Sequence, residues 1–144
     1  MIVADTSVWI DFSRGLVTPT TMRLAELLRN KDLLVGDLIL CEMLQGARSE
    51  RDANALELKV RRQCDLVTMS DPNLAAEAAA NRRFLRGKGI TVRKTIDLLI
   101  GTFCIVHGHT LLHSDRDYDP MEQYLDLKVV PTHYMVNEPM VTYG

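Results

Sequence analysis

The sequence predicts an α/β fold in which a parallel β-sheet is covered by helices on both faces, and three observations predict it. Short extended runs (Met1–Ala4, Leu33–Val35, Leu66–Met69, Thr110–His113, Lys128–Val130) alternate with longer segments of helical periodicity. The runs are short and mostly apolar, as strands buried on both sides are. The 144 residues hold no internal repeat and no linker rich in Pro, Gly or Ser, so they fit one domain.

Each element has its own signals. Met1–Ala4 is apolar and stops at Asp5. Thr6–Ser13 places Val8, Trp9 and Phe12 on one helical side and ends near Gly15. Pro19–Lys31 spaces Met22, Leu24, Leu27 and Leu28 by about a turn. After the strand Leu33–Val35, Asp37 is placed to cap a helix running to about Ala47, with Gly46 near its end. Ala53–Gln63 is a charged helix, and Leu66–Met69 a short extended piece. Ser70-Asp71-Pro72 joins a polar cap to a first-turn proline, opening a helix through Leu74, Ala78, Arg82 and Leu85 that stops at Gly87 or Gly89. Thr95–His107 is an apolar helix, Thr110–His113 a strand, Asp119–Tyr124 a short helix, and Lys128–Val130 a last strand before Pro131. The tail, residues 132–144, reads as either a disordered end or a docking segment; Tyr134, Met135, Met140 and Tyr143 favour docking.

Composition narrows the function classes. Hydrophobic residues make up 47% and charged residues 25%, ordinary for a soluble globular protein. With 17 Lys and Arg against 19 Asp and Glu, the net charge of −2 excludes a polycation that coats nucleic acid by bulk charge, and also an acidic disordered protein. The first ten residues lack the basic start of a signal peptide, and Asp5 interrupts their apolar run. The near-apolar stretch Leu98–Val106 is far shorter than a membrane span. Cys41, Cys64 and Cys104 are odd in number and widely spaced, so reduced, buried cysteines in a cytoplasmic protein are expected.

The chemistry is carried by acids. Asp5 and Asp115 each follow a strand closely, where open parallel sheets build their sites, although either could simply cap the next helix. Glu42 and Asp97 sit within apolar helical segments, where a carboxylate is costly unless it is paired, protonated or metal-bound. One shared site for a hard cation, Mg2+ or Mn2+, explains all four together. Asp117 and Asp119 add acids beside Asp115, and Ser7 and Ser114 add hydroxyls. His107, His109 and His113 do not show the converging ligands that tetrahedral zinc needs.

Asp5-Thr6-Ser7 after the first strand, Glu42 in an apolar helix, Asp97 opening another, and Leu111-Leu112-His113-Ser114-Asp115-Arg116-Asp117-Tyr118 together resemble the PIN domain. Size and element order look like the VapC-type toxins of prokaryotic toxin–antitoxin pairs. The resemblance covers about residues 1 to 130, which sets a PIN-like nuclease domain at 1–131 and a C-terminal tail at 132–144. It implies a three-layer α/β/α sandwich with a central parallel sheet of four to five strands. It also implies a Mg2+- or Mn2+-dependent endoribonuclease that cuts single-stranded RNA, in tRNA or rRNA loops, by attack of a metal-activated water on a phosphodiester. By position Asp5, Glu42, Asp97 and Asp115 match the family's catalytic acids; Asp5, Asp97, Asp115 and Asp117 would hold metal; Thr6, Ser7 and Ser114 would support them. A homodimer and a VapB-type antitoxin are further implications.

RNA needs positive charge. Asn81 to Lys94 contains Arg82, Arg83, Arg86, Lys88, Arg93 and Lys94 and no acid, and it ends just before Asp97. Without the four matched acids the remaining chain carries more bases than acids. The competing reading is a non-catalytic PIN-like module that only binds RNA or protein. A receiver-type phosphoacceptor lacks its mid-chain Asp at a strand end, and no Walker-type loop is present.

Overall fold

The computed structural model describes residues 1–132. The role expected of the tail falls, apart from Thr132, outside the described residues. Four strands form one parallel sheet in the order β3-β2-β1-β4: β1 (Ile2–Ala4), β2 (Leu33–Gly36), β3 (Asp65–Val67) and β4 (Thr110–Leu112). Among the described residues seven helices accompany them: α1 (Thr6–Ser13), α2 (Pro19–Asn30), α3 (Asp37–Gln45), α4 (Glu50–Gln63), α5 (Pro72–Gly87), α6 (Thr95–His107) and α7 (Asp119–Leu125).

The strand order dictates the layers. Right-handed crossovers from β1 to β2 and from β2 to β3 place α1 to α4 on one face. The return from β3 past the first two strands to β4 reverses direction and places α5 and α6 on the other. The packing agrees: α1 lies against α2 and α3, and α5 against α6 and α7. The result is an α/β/α sandwich around Val3, Leu33, Val35, Leu111 and Leu112, all buried. The direction of strand succession reverses between β1 and β4, so the switch-point crevice opens above Ala4 and Leu112.

Most element signals act as the sequence suggests. Asp71 caps α5 by accepting from the Leu74 amide at 2.8 Å, with Pro72 next. Thr18 and Thr21 form a reciprocal capping box on α2. Three expectations change. Asp37 is not the cap of α3; it is the first helical residue after Gly36, and its carboxylate accepts from the Leu38 amide at 3.0 Å as well as from the Met69 amide at 2.7 Å and the Ser70 hydroxyl at 3.1 Å. Partners more than thirty positions away thus share the carboxylate with the first turn of its own helix. The strand expected at Lys128–Val130 reduces to a single bridge from Val129 to Leu111, because the Val130 carbonyl and the Thr132 amide, which would carry the ladder on, bond to each other at 2.9 Å. Cys64 and Cys104 are buried, but Cys41 is exposed, since it shares with Asp37 and Gln45 the solvent side of α3 at i, i+4 spacing.

Gly101 fixes the packing of α6 beneath the crevice. A Cβ at this position would overlap Met121 Sδ and approach the Tyr118 ring to 3.8 Å. Gly101→Val is therefore expected to lower stability by about 1–3 kcal/mol through overpacking, read as a lower melting temperature in thermal unfolding. Gly87→Val should cost less, because a Cβ added there meets nothing within 4 Å.

Candidate active site

The crevice above β1 and β4 is lined by acids. Asp5 directly follows β1 and is 4% exposed, its amide donating to the Leu112 carbonyl at 2.9 Å. One carboxylate oxygen, Oδ2, caps α1 by accepting from the Ser7 amide at 3.2 Å and the Ser7 hydroxyl at 2.6 Å. The other, Oδ1, accepts from the Tyr118 hydroxyl at 2.7 Å. Asp115 likewise caps the 3-10 turn Arg116–Tyr118, Oδ1 accepting from the Asp117 amide at 2.9 Å. The cap and site readings of both residues are thus compatible, because a cap engages only one oxygen; the second of Asp5 turns into the crevice toward Tyr118.

Asp97 lies buried in the first turn of α6. Its Oδ1 is 3.4 Å from the Tyr118 hydroxyl, and its Oδ2 has no hydrogen-bond partner among the described residues. One carboxylate oxygen each from Asp97, Asp115 and Asp117 lies within 4.8 Å of the others. Burial, with the negative charges of Asp5, Asp115 and Glu42, pushes the Asp97 carboxyl up to about 6, against the opposing charge of Lys94. Three converging carboxylates, one with an orphaned oxygen, form an all-oxygen donor set suited to a hard divalent cation. The histidines do not compete: His107 and His109 are stacked, 6.3 Å between centroids, at the opposite end of α6 from Asp97.

The remaining expected residues take distinct places. Glu42 is half-buried on α3 and accepts from the Thr6 hydroxyl at 2.6 Å, so it joins the crevice through α1 and not through the three converging acids. Asp5 is linked to Asp97 by Tyr118 and also stands outside that trio. Ser114 is exposed. Of the basic segment, Arg93 donates to Asp117 Oδ1 at 2.9 Å and Lys94 lies close enough to affect Asp97. Arg83, Arg86 and Lys88 are exposed, and Arg82 is half-buried.

The sequence reading missed the role of Tyr118. It is fully buried, and burial among carboxylates keeps its hydroxyl protonated, so it acts as a fixed donor between Asp5 and Asp97. His113 packs its ring 4.9 Å from Tyr118, and its Nδ1 accepts from the Asp115 amide at 3.1 Å. Burial holds this imidazole below its ordinary pKa, consistent with that acceptor role. The available signal was a Tyr three residues past a turn-capping Asp, which points back under the turn.

Residues 2–123 match the PIN domain family. Over 130 residues the chain is 29% identical to VapC ribonuclease Mb1587 of Mycobacterium bovis and, at the same identity, to ribonuclease VapC11 of Mycobacterium tuberculosis, covering 89% of this chain and 96% of each relative. The fold resembles that in the crystal structure of VapBC2 from Rickettsia felis bound to a DNA fragment from its promoter, with a TM-score of 0.71 at 17% identity over 90% of this chain and 98% of that one. It also resembles VapBC-1 from nontypeable Haemophilus influenzae, with a TM-score of 0.69 at 17% identity over 92% and 99%. At such identity these structures speak to the fold alone. The family match runs from β1 into α7 and takes in every acid of the crevice, and the chain belongs to the PIN domain family.

Proposed function

We propose that this chain is the toxin of a VapBC-type pair, an endoribonuclease that uses Mg2+ or Mn2+ to hydrolyse single-stranded RNA. The observation that carries the reading is the convergence of Asp97, Asp115 and Asp117 within 4.8 Å at the switch point of a PIN fold. Relatives named as VapC ribonucleases support the reaction class.

In this reading Asp97, Asp115 and Asp117 hold the cation, with Asp5 completing the site across Tyr118. When bound, the cation lowers the pKa of a water and offsets charge on the phosphodiester. Ser7 and Tyr118 fix the Asp5 carboxylate between two donors, and Thr6 orients Glu42 beside it. Water adds to phosphorus and the bond to the 3′ oxygen breaks, leaving a 5′-phosphate and a 3′-hydroxyl. Arg93 and Lys94 stand at the edge of the acids, where they can meet phosphates of the RNA.

A VapB-type antitoxin would occupy the groove lined by Trp9, Ile10, Phe12, Met43, Leu56 and Lys59. Its largely apolar wall, and a Trp9 Nε1 without a partner among the described residues, support docking of an amphipathic segment. The open edge of β3, with Leu66 40% exposed, supports self-association into a homodimer. Among the described residues no helix is long and apolar enough to cross a membrane. The reading places the protein in the cytoplasm, with its RNA substrate.

RNA cleavage should require Mg2+ or Mn2+ and stop with chelator. Asp5→Asn and Asp97→Asn should each reduce it by roughly a hundredfold or more. Cleavage by both variants at the wild-type rate would leave a PIN-like module that only binds RNA or protein. In chelator at neutral pH, Asp97→Asn should stabilise the protein by about 1–2 kcal/mol, because it removes an uncompensated buried charge. The same variant should lose the rise in melting temperature that Mn2+ gives the wild type. Arg93→Gln should tighten Mn2+ binding several-fold by calorimetry without RNA, since Asp117 no longer has a competing counter-ion. The effect should vanish in an Asp117→Asn background.

A further inference from the structure

Away from the acids, one surface holds groups that neither the core nor the reaction uses. Phe84, in the last turn of α5, is 48% exposed, and Tyr124, in α7, is 39% exposed. The two helices pack against each other. Lys88, the C-terminal cap of α5, places Nζ 5.1 Å from the Phe84 ring centroid and 5.4 Å from that of Tyr124. Leu85, the next residue after Phe84, is fully buried, so the helical phase directs Phe84 outward. Two partly exposed aromatic rings that share one ammonium forgo part of the free energy of burial and are what a single-stranded nucleic acid stacks on.

Charge selects the partner. Lys88 belongs to the stretch 81–94 that carries six bases and no acid. A partner bearing both flat apolar units and a negative backbone complements rings and cation at once. Position ties this surface to the acids. The five steps from Lys88 to Arg93 span at most about 18 Å. Arg93 in turn touches Asp117.

We propose that Phe84 and Tyr124 form a base-stacking platform for single-stranded RNA, which Lys88 and the loop to Arg93 lead to the acidic crevice. Lys88 lies over the ring faces in free protein and turns to a phosphate when a base takes its place, since a cation and a stacked base occupy the same face of the ring. The platform then selects unpaired RNA, because a base within a duplex has no free face to offer. The proposal rests on the reading of the chain as an RNA-cutting enzyme and assigns that enzyme its grip on the bases beside the cut.

The test compares two labelled probes by fluorescence anisotropy in chelator, where the RNA stays intact: a short single-stranded RNA and an abasic chain of equal length and charge. Phe84→Ala with Tyr124→Ala should weaken binding of the base-bearing probe between about five- and a hundredfold and leave the abasic probe unaffected. Phe84→Leu with Tyr124→Leu, which keeps apolar bulk, should give the same loss if the alanine variant folds poorly. Phe84→Trp with Tyr124→Phe should retain affinity. Lys88→Gln should weaken both probes and lower the salt slope by about one. Equal binding by the double variants and the wild type, equal loss on both probes, or loss of a protein partner with RNA affinity intact would overturn the platform. Cleavage with Mn2+ separates the two readings. A wild type that cuts RNA while the double variants cut it with unchanged KM removes the platform and leaves the nuclease. A wild type that grips bases through these rings but cuts nothing keeps the platform and removes the nuclease.

Discussion

Mutual repulsion among the acids at the switch point is the constraint on which the rest of the structure depends. Asp5 and Asp97 are buried, and the negative charges of Asp5, Asp115 and Glu42 all bear on Asp97. In a medium of low effective dielectric such a group spreads apart, protonates or gathers donors. The fold supplies donors: Ser7 and Tyr118 to Asp5, Thr6 to Glu42, the Asp117 amide to Asp115, and Arg93 to Asp117. Asp97 Oδ2 is the buried carboxylate oxygen left without a partner among the described residues. A scaffold that satisfies its neighbours but leaves one buried carboxylate oxygen bare keeps that oxygen available to a cation.

The donors are economical because helix termini double as site supports. Asp5 opens α1 and Asp115 opens the 3-10 turn, each accepting backbone or side-chain protons from its own first turn. The cap fixes the direction of the side chain through hydrogen bonds that the helix needs in any case. The parallel register of β1 with β4 then sets the two caps side by side, Ala4 opposite Leu112. Gly101 completes the arrangement from below by letting Met121 and Tyr118 approach α6 closely enough for the Tyr118 hydroxyl to lie between Asp5 and Asp97.

The sequence disclosed what local chemistry controls. Asp5, Asp97 and Asp115 were legible because acids beside apolar strands or within apolar helices are conspicuous, and the alternation of short runs with helices sufficed for the α/β class. What it hid depends on partners remote in sequence. Tyr118 reads as an ordinary core aromatic until the fold brings it to Asp5, 113 positions away. Asp37 has every local mark of a cap, yet it stands one position inside the helix and its carboxylate also holds the Met69 amide, 32 positions on. The terminal strand failed for a smaller reason: past Val129 the Val130 carbonyl and the Thr132 amide close on each other instead of on β4, and the pattern of apolar residues alone does not register that local turn. Periodicity marks which residues are buried, while donor and acceptor pairing across the sheet decides which of them act together.

Arg93 shows how charge pairing can couple ligands. Of the three ion pairs among the described residues, two are helical neighbours, and Arg93–Asp117 alone joins separate elements. The guanidinium is 76% exposed while its carboxylate partner is 18% exposed, so the cation side of the pair is the one free to leave. A phosphate arriving from solvent offers Arg93 a second partner, and a divalent cation offers Asp117 one. Either event weakens the existing pair and so removes part of the cost of the other. By linkage each ligand must then raise the affinity for the other by the same factor. If cation and RNA bind as proposed, an exposed arginine on a recessed carboxylate does more than neutralise charge in the free protein: it would make the two ligands cooperative, each releasing the counter-ion that excludes the other.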